Sequence, residues 1–328
     1  MDVKTKKILY CLELNGRATE LELAKQVGVS REQARVRLNN LETTKTIKNY
    51  MVLVNSLNFG FLMFRVYYNF TNIDLKKESE IISYLQKNVN WVTKVEGRWN
   101  LVTMSFSRDV FDFSKFITDL KMKFGEFIQD FWVSTLTGLW HFKRDFLLPQ
   151  KNTKKGDLAI KRDSIKMGPR TNKPSLDNLD LNILKLLLKN GRASYVNLGN
   201  TLNVNAKLIR DRINRMIKQE VILGFSPSYD MKKLGYLYFK VHFKLKNYSV
   251  EKYNSLVEYS LQHPNIVFMV EAVGGADWEI EIQVENNSQL YNIIRDIKIQ
   301  FSSIIHSYYF LEYTEEFTLD YLPRQLTT

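Results

Sequence analysis

Cysteine is almost absent from this 328-residue chain. Cys11 stands alone, which excludes an internal disulfide framework and any multi-cysteine zinc site. The four histidines, His141, His242, His263 and His306, are dispersed, so neither a metal nor another cofactor is expected. No window approaches the ~18–20 unbroken apolar residues of a membrane span. Met1–Lys7 leads into an amphipathic segment and not an apolar signal core, so a cytoplasmic chain that avoids membranes is expected. The common catalytic signatures are missing as well: there is no G-x-S-x-G, Walker loop, G-x-G-x-x-G or C-x-x-C, and no catalytic residue is singled out.

What is present is an ordinary globular composition, 45% hydrophobic and 25% charged, with a net charge of +12. That charge is unevenly placed: +4 over residues 1–50, +2 over 51–148, +6 over 149–175, +4 over 176–225 and −4 over 226–328. Concentration in three pieces points to contact of particular modules with a polyanion, beyond mere solubility.

The chain is a duplication. Asn15-Gly16-Arg17-Ala18 recurs as Asn190-Gly191-Arg192-Ala193, an offset of 175 that also matches Arg35, Arg37 and Asn39 with Arg210, Arg212 and Asn214. Gly60 and Phe64 match Gly235 and Phe239 at the same offset; Gly97 matches Gly274 at 177. The halves run over 1–148 and 176–328. Residues 149–175 are polar, basic and bounded by prolines, and read as a flexible linker.

Each half opens with three helical patterns, over 1–50 and 176–225. Gly16 and Gly191 are expected to cap the first helix in a left-handed conformation. Gly28-Val29-Ser30 and Asn203-Val204-Asn205 make a tight turn, with Ser30 and Asn205 as N-caps of the third helix. That helix buries Ala34, Leu38 and Leu41, or Ile209, Ile213 and Met216, and turns the rest outward. This is a helix-turn-helix pattern whose third helix suits the major groove of double-stranded DNA. Arg35, Asn39, Arg210 and Asn214 are candidates for base contacts; Lys25, Arg31 and Lys207 for phosphates. Ser30, Arg37, Asn205, Arg212, Arg215 and Lys218 complete the candidate DNA-facing set. The first outward face sums to zero charge and the second to +3, so two unlike half-sites are expected.

After a hinge strand, each half continues as β-α-β-β-α-β, over 51–148 and 226–328. The strands are expected near 61–70, 90–96, 99–107 and 127–136, and near 236–246, 265–273, 277–285 and 304–314. This is the ferredoxin-like order. Several strands are apolar on both faces, which calls for a second sheet against the face the helices leave open. Asp277, Glu279 and Glu281 alternate along one strand and are expected on a solvated or linker-neutralising face.

These parts, in this order and taken twice, resemble the Lrp/AsnC (feast/famine) transcriptional regulators of bacteria and archaea. Leu176–Leu184 resembles the family's opening segment, and Leu23–Ser30 its second helix and turn. Arg37 and Arg212 fall at its recurrent third-helix arginine; Leu41-Glu42 at its Leu-Glu pair, with Met216-Ile217 in the second copy. The resemblance implies an α+β fold: two winged-helix-like helix-turn-helix domains and two ferredoxin-like domains of the RAM type. The latter would pair within the chain as a pseudo-dimer, with a larger homo-oligomer beyond it. It implies an amino-acid-like effector near a G-x-x-D turn, which Gly274-Gly275-Ala276-Asp277 keeps and Gly97-Arg98-Trp99-Asn100 alters. Thr5 departs from the family's opening acid; Lys45 and Glu220 replace the usual glycine after the third helix.

Two other readings share the architecture. Sirohaem decarboxylases have the same two-part plan, although the sequence shows no clustered His–Arg set in the strand-two region. A sequence-tolerant, chromatin-like coat on DNA would need only the charges.

Overall fold

A computed structural model describes residues 1–13, 15–148, 164–169 and 174–326. The first half runs α1 (Val3–Leu12), α2 (Glu20–Val27), α3 (Arg31–Thr43), β1 (Ile47–Val54), β2 (Leu62–Phe70), α4 (Leu75–Asn88), β3 (Trp91–Gly97), β4 (Leu101–Ser107), α5 (Val110–Phe124) and β5 (Ile128–Phe142). A short β6 (Ser164–Met167) follows. The second half repeats the order as α6 (Asn178–Lys189), α7 (Tyr195–Leu202), α8 (Ala206–Lys218), β7 (Ile222–Tyr229), a single turn α9 (Met231–Leu234), β8 (Leu237–Leu245), α10 (Val250–Gln262), β9 (Ile266–Val273), β10 (Trp278–Val284), α11 (Asn287–Gln300) and β11 (Ile305–Leu319).

The head helices start where a side-chain oxygen can take an orphan N–H. Asp2, Thr19 and Ser30 cap α1, α2 and α3; Asp177, Ser194 and Asn205 cap α6, α7 and α8. The second helices end on left-handed residues, Gly28 at φ 70° and Asn203 at φ 55°. Lys45 and Glu220 also lie in the left-handed region, at φ 55° and 54°, so the backbone expected of glycine is kept without it.

Gly16 and Gly191 are not left-handed, which corrects their expected role as caps. Glycine is required there by close approach. A Cβ on Gly16 would stand 3.0 Å from the Phe225 carbonyl oxygen, and one on Gly191 2.8 Å from that of Tyr50. Each glycine N–H donates to that same oxygen, at 2.7 and 2.9 Å. The hinge strands β1 and β7 pair with each other antiparallel, Tyr50 opposite Pro227 and Val52 opposite Phe225. Each head is thus clipped to the other half's hinge.

The two ferredoxin-like sheets, ordered β5-β2-β4-β3 and β11-β8-β10-β9, join edge to edge at both ends: β3 pairs with β11, and β5 with β9. Eight strands therefore close into a barrel, which leaves no open edge between the halves. The strand faces left bare by the helices line its interior, and this accounts for their apolar character on both sides. β5 and β11 run to 142 and 319, beyond the expected 136 and 314, because each pairs first with its own sheet and then with its sister's.

The stretch expected to be wholly linker contains β6, which pairs with the end of β5 from Leu139–Met167 to Phe142–Ser164. Gly168 then accepts from and donates to the Asn55 side chain, at 2.9 and 3.2 Å. Residues 149–163 and 170–173 of that stretch lie outside the described residues. Among the described residues no helix is long and apolar enough to cross a membrane.

Candidate nucleic-acid interface

The third helices α3 and α8 bury Ala34, Leu38 and Leu41, and Ile209, Ile213 and Met216, as the spacing requires. Lys25, Arg31, Arg35 and Asn39 are exposed on the first head; Lys207, Arg210, Asn214 and Lys218 on the second. The charges differ in how they are held. Arg35 forms a two-bonded pair with Glu32, at 3.0 and 2.6 Å, and Arg31 bonds Glu20 at 3.2 Å. On α8, Arg210 stands 3.6 Å from Asp211, while Lys207 and Lys218 extend the basic face. The outward face of α8 is the more cationic, although the two heads carry the same net charge.

Ser30 and Asn205 spend their side-chain oxygens on Gln33 and Leu208 N–H groups, at 3.1 and 2.7 Å. Three arginines of the candidate set bond back to the first helix of their own head or its cap. Arg37 Nη1 donates to Asp2 and Thr5, both at 2.7 Å. Arg212 Nη1 reaches Asp177 and, at 3.3 Å, Asp180, and Arg215 bonds Asp180. These guanidiniums fasten α3 and α8 to the start of α1 and α6. The hydrogen bond from Arg212 is the first cause that holds the Asp177 carboxyl down, at about 2. Thr5, in place of the opening acid, still accepts from Arg37.

The repeated Asn-Gly-Arg-Ala contributes more than the sequence alone suggested. Arg17 donates to the carbonyls of Gly191 and Ala193, at 2.7 and 2.8 Å, and stacks over Tyr195 and Phe225. Arg192 donates to Ala18 at 3.0 Å and stacks over Tyr50. The two copies of the motif meet and clasp the heads together. An arginine repeated at matching places was the only signal, and it does not say what the arginine touches.

The turn residues lie at the two barrel seams. Gly97 (φ 126°) abuts Phe310 of β11, and Gly274 (φ 80°) abuts Val133 of β5. Asn100 Oδ1 accepts from Phe70 N–H and Asp277 Oδ2 from Leu245 N–H, both at 2.8 Å. The acid and the amide do the same turn-closing work. Lys244 stands 3.7 Å from Asp277.

Glu279 and Glu281 are not on a solvated face: both are buried inside the barrel. Lys240 lies 2.8 Å from Glu279 and 3.4 Å from Glu281, and Arg65 lies 3.6 and 3.7 Å from them. Burial raises the Glu279 carboxyl, but the charge of Lys240 foremost outweighs it and holds the group at about 2. His242 bonds the Tyr67 hydroxyl at 3.0 Å and stacks on Tyr309 at 4.5 Å. Burial above all, with Lys240 and Arg65, pushes its imidazole down to about 3 against the pull of Glu279. A histidine neutral when folded and free to protonate when unfolded gives full stability above the unfolded value of about 6.5. That stability is lost as pH falls from there toward 3. Urea unfolding between these limits is expected to show a slope with pH that flattens in His242→Gln. An unchanged slope would place the acid lability elsewhere.

The model of the AsnC-type helix-turn-helix domain matches residues 1–42 and again 176–217. An uncharacterized HTH-type transcriptional regulator of Pyrococcus abyssi is 30% identical over 122 residues, which make up 37% of this chain and 76% of that protein. The HTH-type transcriptional regulator LrpC of Bacillus subtilis is 26% identical over 132 residues, 40% of this chain and 90% of its own. Such relatives span one half. The siroheme decarboxylase NirDL, solved with an iron-uroporphyrin III analogue, superposes over both, with a TM-score of 0.60 across 97% of this chain and 93% of that one. At 9% identity it shares the fold alone. This chain belongs to the Lrp/AsnC family of HTH-type transcriptional regulators, with the helix-turn-helix unit present twice.

Proposed function

We propose that residues 1–50 and 176–225 are two DNA-reading heads held at a fixed spacing by the paired domains 51–148 and 226–328, and that the chain regulates transcription from an asymmetric site in the cytoplasm. The observation that carries this reading is the clasp: two AsnC-type units, each with its third helix exposed, joined through Gly16, Arg17, Gly191 and Arg192. The heads offer different chemistry to the groove. Val36 is exposed on α3, where it suits a thymine methyl. Its counterpart Asp211 suits a cytosine amino group. A small-molecule effector and a larger homo-oligomer belong to the same reading. The seams at Gly97 and Gly274 are where an effector would alter head spacing.

Selection from random duplex DNA at near-physiological salt, with excess competitor, is expected to enrich two unlike half-sites about one helical turn apart. Arg210→Ala is expected to relax one half-site only, at a cost of about 1–3 kcal/mol. Weak, steeply salt-dependent binding with no enriched motif would favour the coating reading.

The likeness to NirDL over nearly the whole chain favours one second reading, an enzyme of tetrapyrroles. The fold brings Arg65, Lys240 and His242 together inside the barrel, which the sequence did not reveal. A Soret shift at stoichiometric haem would support it; a spectrum of free haem would retire it.

A further inference from the structure

The duplication sets two equivalent arginines in unequal company. Arg35 and Arg210 hold the same place on α3 and α8. Three residues before each, at the second position of the helix, the first head has Glu32 and the second Lys207. Arg35 Nε and Nη2 donate to the two carboxylate oxygens of Glu32, at 3.0 and 2.6 Å. A pair bonded at two points fixes the plane of the guanidinium as well as its place. Among the described residues Arg210 has no such holder. Lys207 carries no acceptor on its side chain. The neighbouring Asp211 stands 3.6 Å from Arg210 Nε, beyond hydrogen-bond reach, and adjacent residues of a helix do not face each other.

The fork leaves part of Arg35 to spare. Nη1 and the second Nη2 hydrogen form the end of the guanidinium, an edge that can span O6 and N7 of a guanine. Both side chains of the pair stay exposed, so a base edge can reach that end. Charge alone argues against Glu32 on this face, because a carboxylate repels phosphate whatever the sequence. What it adds is orientation before contact, which lowers the cost of ordering a long side chain on binding. We propose that Glu32 is a positioning residue that aims Arg35 at a guanine, so that the first head reads this base pair more strictly than the unheld Arg210 reads its own. This assignment rests on the DNA-reading heads proposed above and goes further by naming what sets the strictness of each.

Selection from random duplex DNA with the full chain, then fluorescence anisotropy on single-base variants of the enriched site, tests it. Arg35→Ala marks the guanine as the position whose preference it flattens. There, Glu32→Ala is expected to lower discrimination about five- to tenfold. The same variant is expected to bind unrelated duplex about twofold more tightly, since a negative charge is gone. Its urea midpoint is expected to match the parent's, because the pair is exposed. Lys207→Glu is expected to do the reverse in the second head: weaker binding overall, with a sharper choice at the base pair that Arg210 reads. Equal tightening of Glu32→Ala on every duplex, with discrimination unchanged, would overturn the proposal and leave Glu32 a repelling charge only. A motif in which Arg35→Ala flattens no guanine would overturn it too, as would Lys207→Glu with weaker binding and no sharper base. These outcomes leave the two heads standing as DNA readers. A parent chain that enriches no motif would instead overturn that reading, and this one with it.

Discussion

Arg144→Ala is expected to cost the folded chain about 3–5 kcal/mol, seen as a large drop in the urea midpoint at unchanged slope. Arg144 Nη1 lies 2.8 Å from both carboxylate oxygens of Glu13, which is fully buried at the end of α1. Its Nε holds Gln283 of β10. One guanidinium thus ties the first head to the sister half's barrel wall, and its loss takes two charge-assisted hydrogen bonds from a buried carboxylate. The duplication supplies the control. The matching positions in the other half, Leu188, Tyr321 and Phe106, are apolar or aromatic and pack in the main core. Glu13→Leu, Arg144→Tyr and Gln283→Phe together are expected to recover most of the stability, since replacing a whole buried ionic set by packed groups is often neutral or better. A triple variant as unstable as Arg144→Ala would show that the two sides are not interchangeable.

Gly191→Ala is expected to lower affinity for the two-half-site duplex by about tenfold or more, with little change on a single half-site. The added methyl would meet the Tyr50 carbonyl at 2.8 Å, and backbone cannot give way as a flexible side chain can. The head must lift off the ribbon and take Arg17 away from the Gly191 and Ala193 carbonyls. Strain of this kind costs about 1–3 kcal/mol. What the DNA loses is the preset spacing that makes binding of the second head intramolecular. Fluorescence anisotropy with paired and single half-site duplexes separates these effects. An equal loss on both would place the damage in the reading face itself.

The duplication, the head helices and the ferredoxin-like order were legible because each rests on local periodicity that one stretch of sequence carries by itself. Partners between the halves were not. Glycine marks a special backbone, but a left-handed φ, as at Gly28, and a close approach, as at Gly16, look the same in sequence. Arg37, Arg212 and Arg215 have side chains long enough to fold back on Asp2, Asp177 and Asp180, so their outward place on the helix did not fix where their charge goes. The alternation of Asp277, Glu279 and Glu281 gave a shared face but not its surroundings. Lys240 and Arg65 together make burial of the two glutamates tolerable, and Arg65 comes from the far half of the chain. β6 was missed for a similar reason: its polar stretch earns a strand only from β5 beside it.

Closure of the barrel also sets an order in time. Leu311 of β11 lies opposite Gly97 of β3, so that seam waits on residues made some two hundred positions later. At about 5–20 residues per second, a ribosome needs on the order of ten seconds or more to add the second half. Throughout that interval the newborn first half presents the rims of β3 and β5 with no sister strand to meet them. On a messenger carrying several ribosomes, a neighbouring nascent chain offers the same rims. Tethered synthesis therefore makes exchange of halves between chains the characteristic error of this architecture, and swift docking of the second half its remedy.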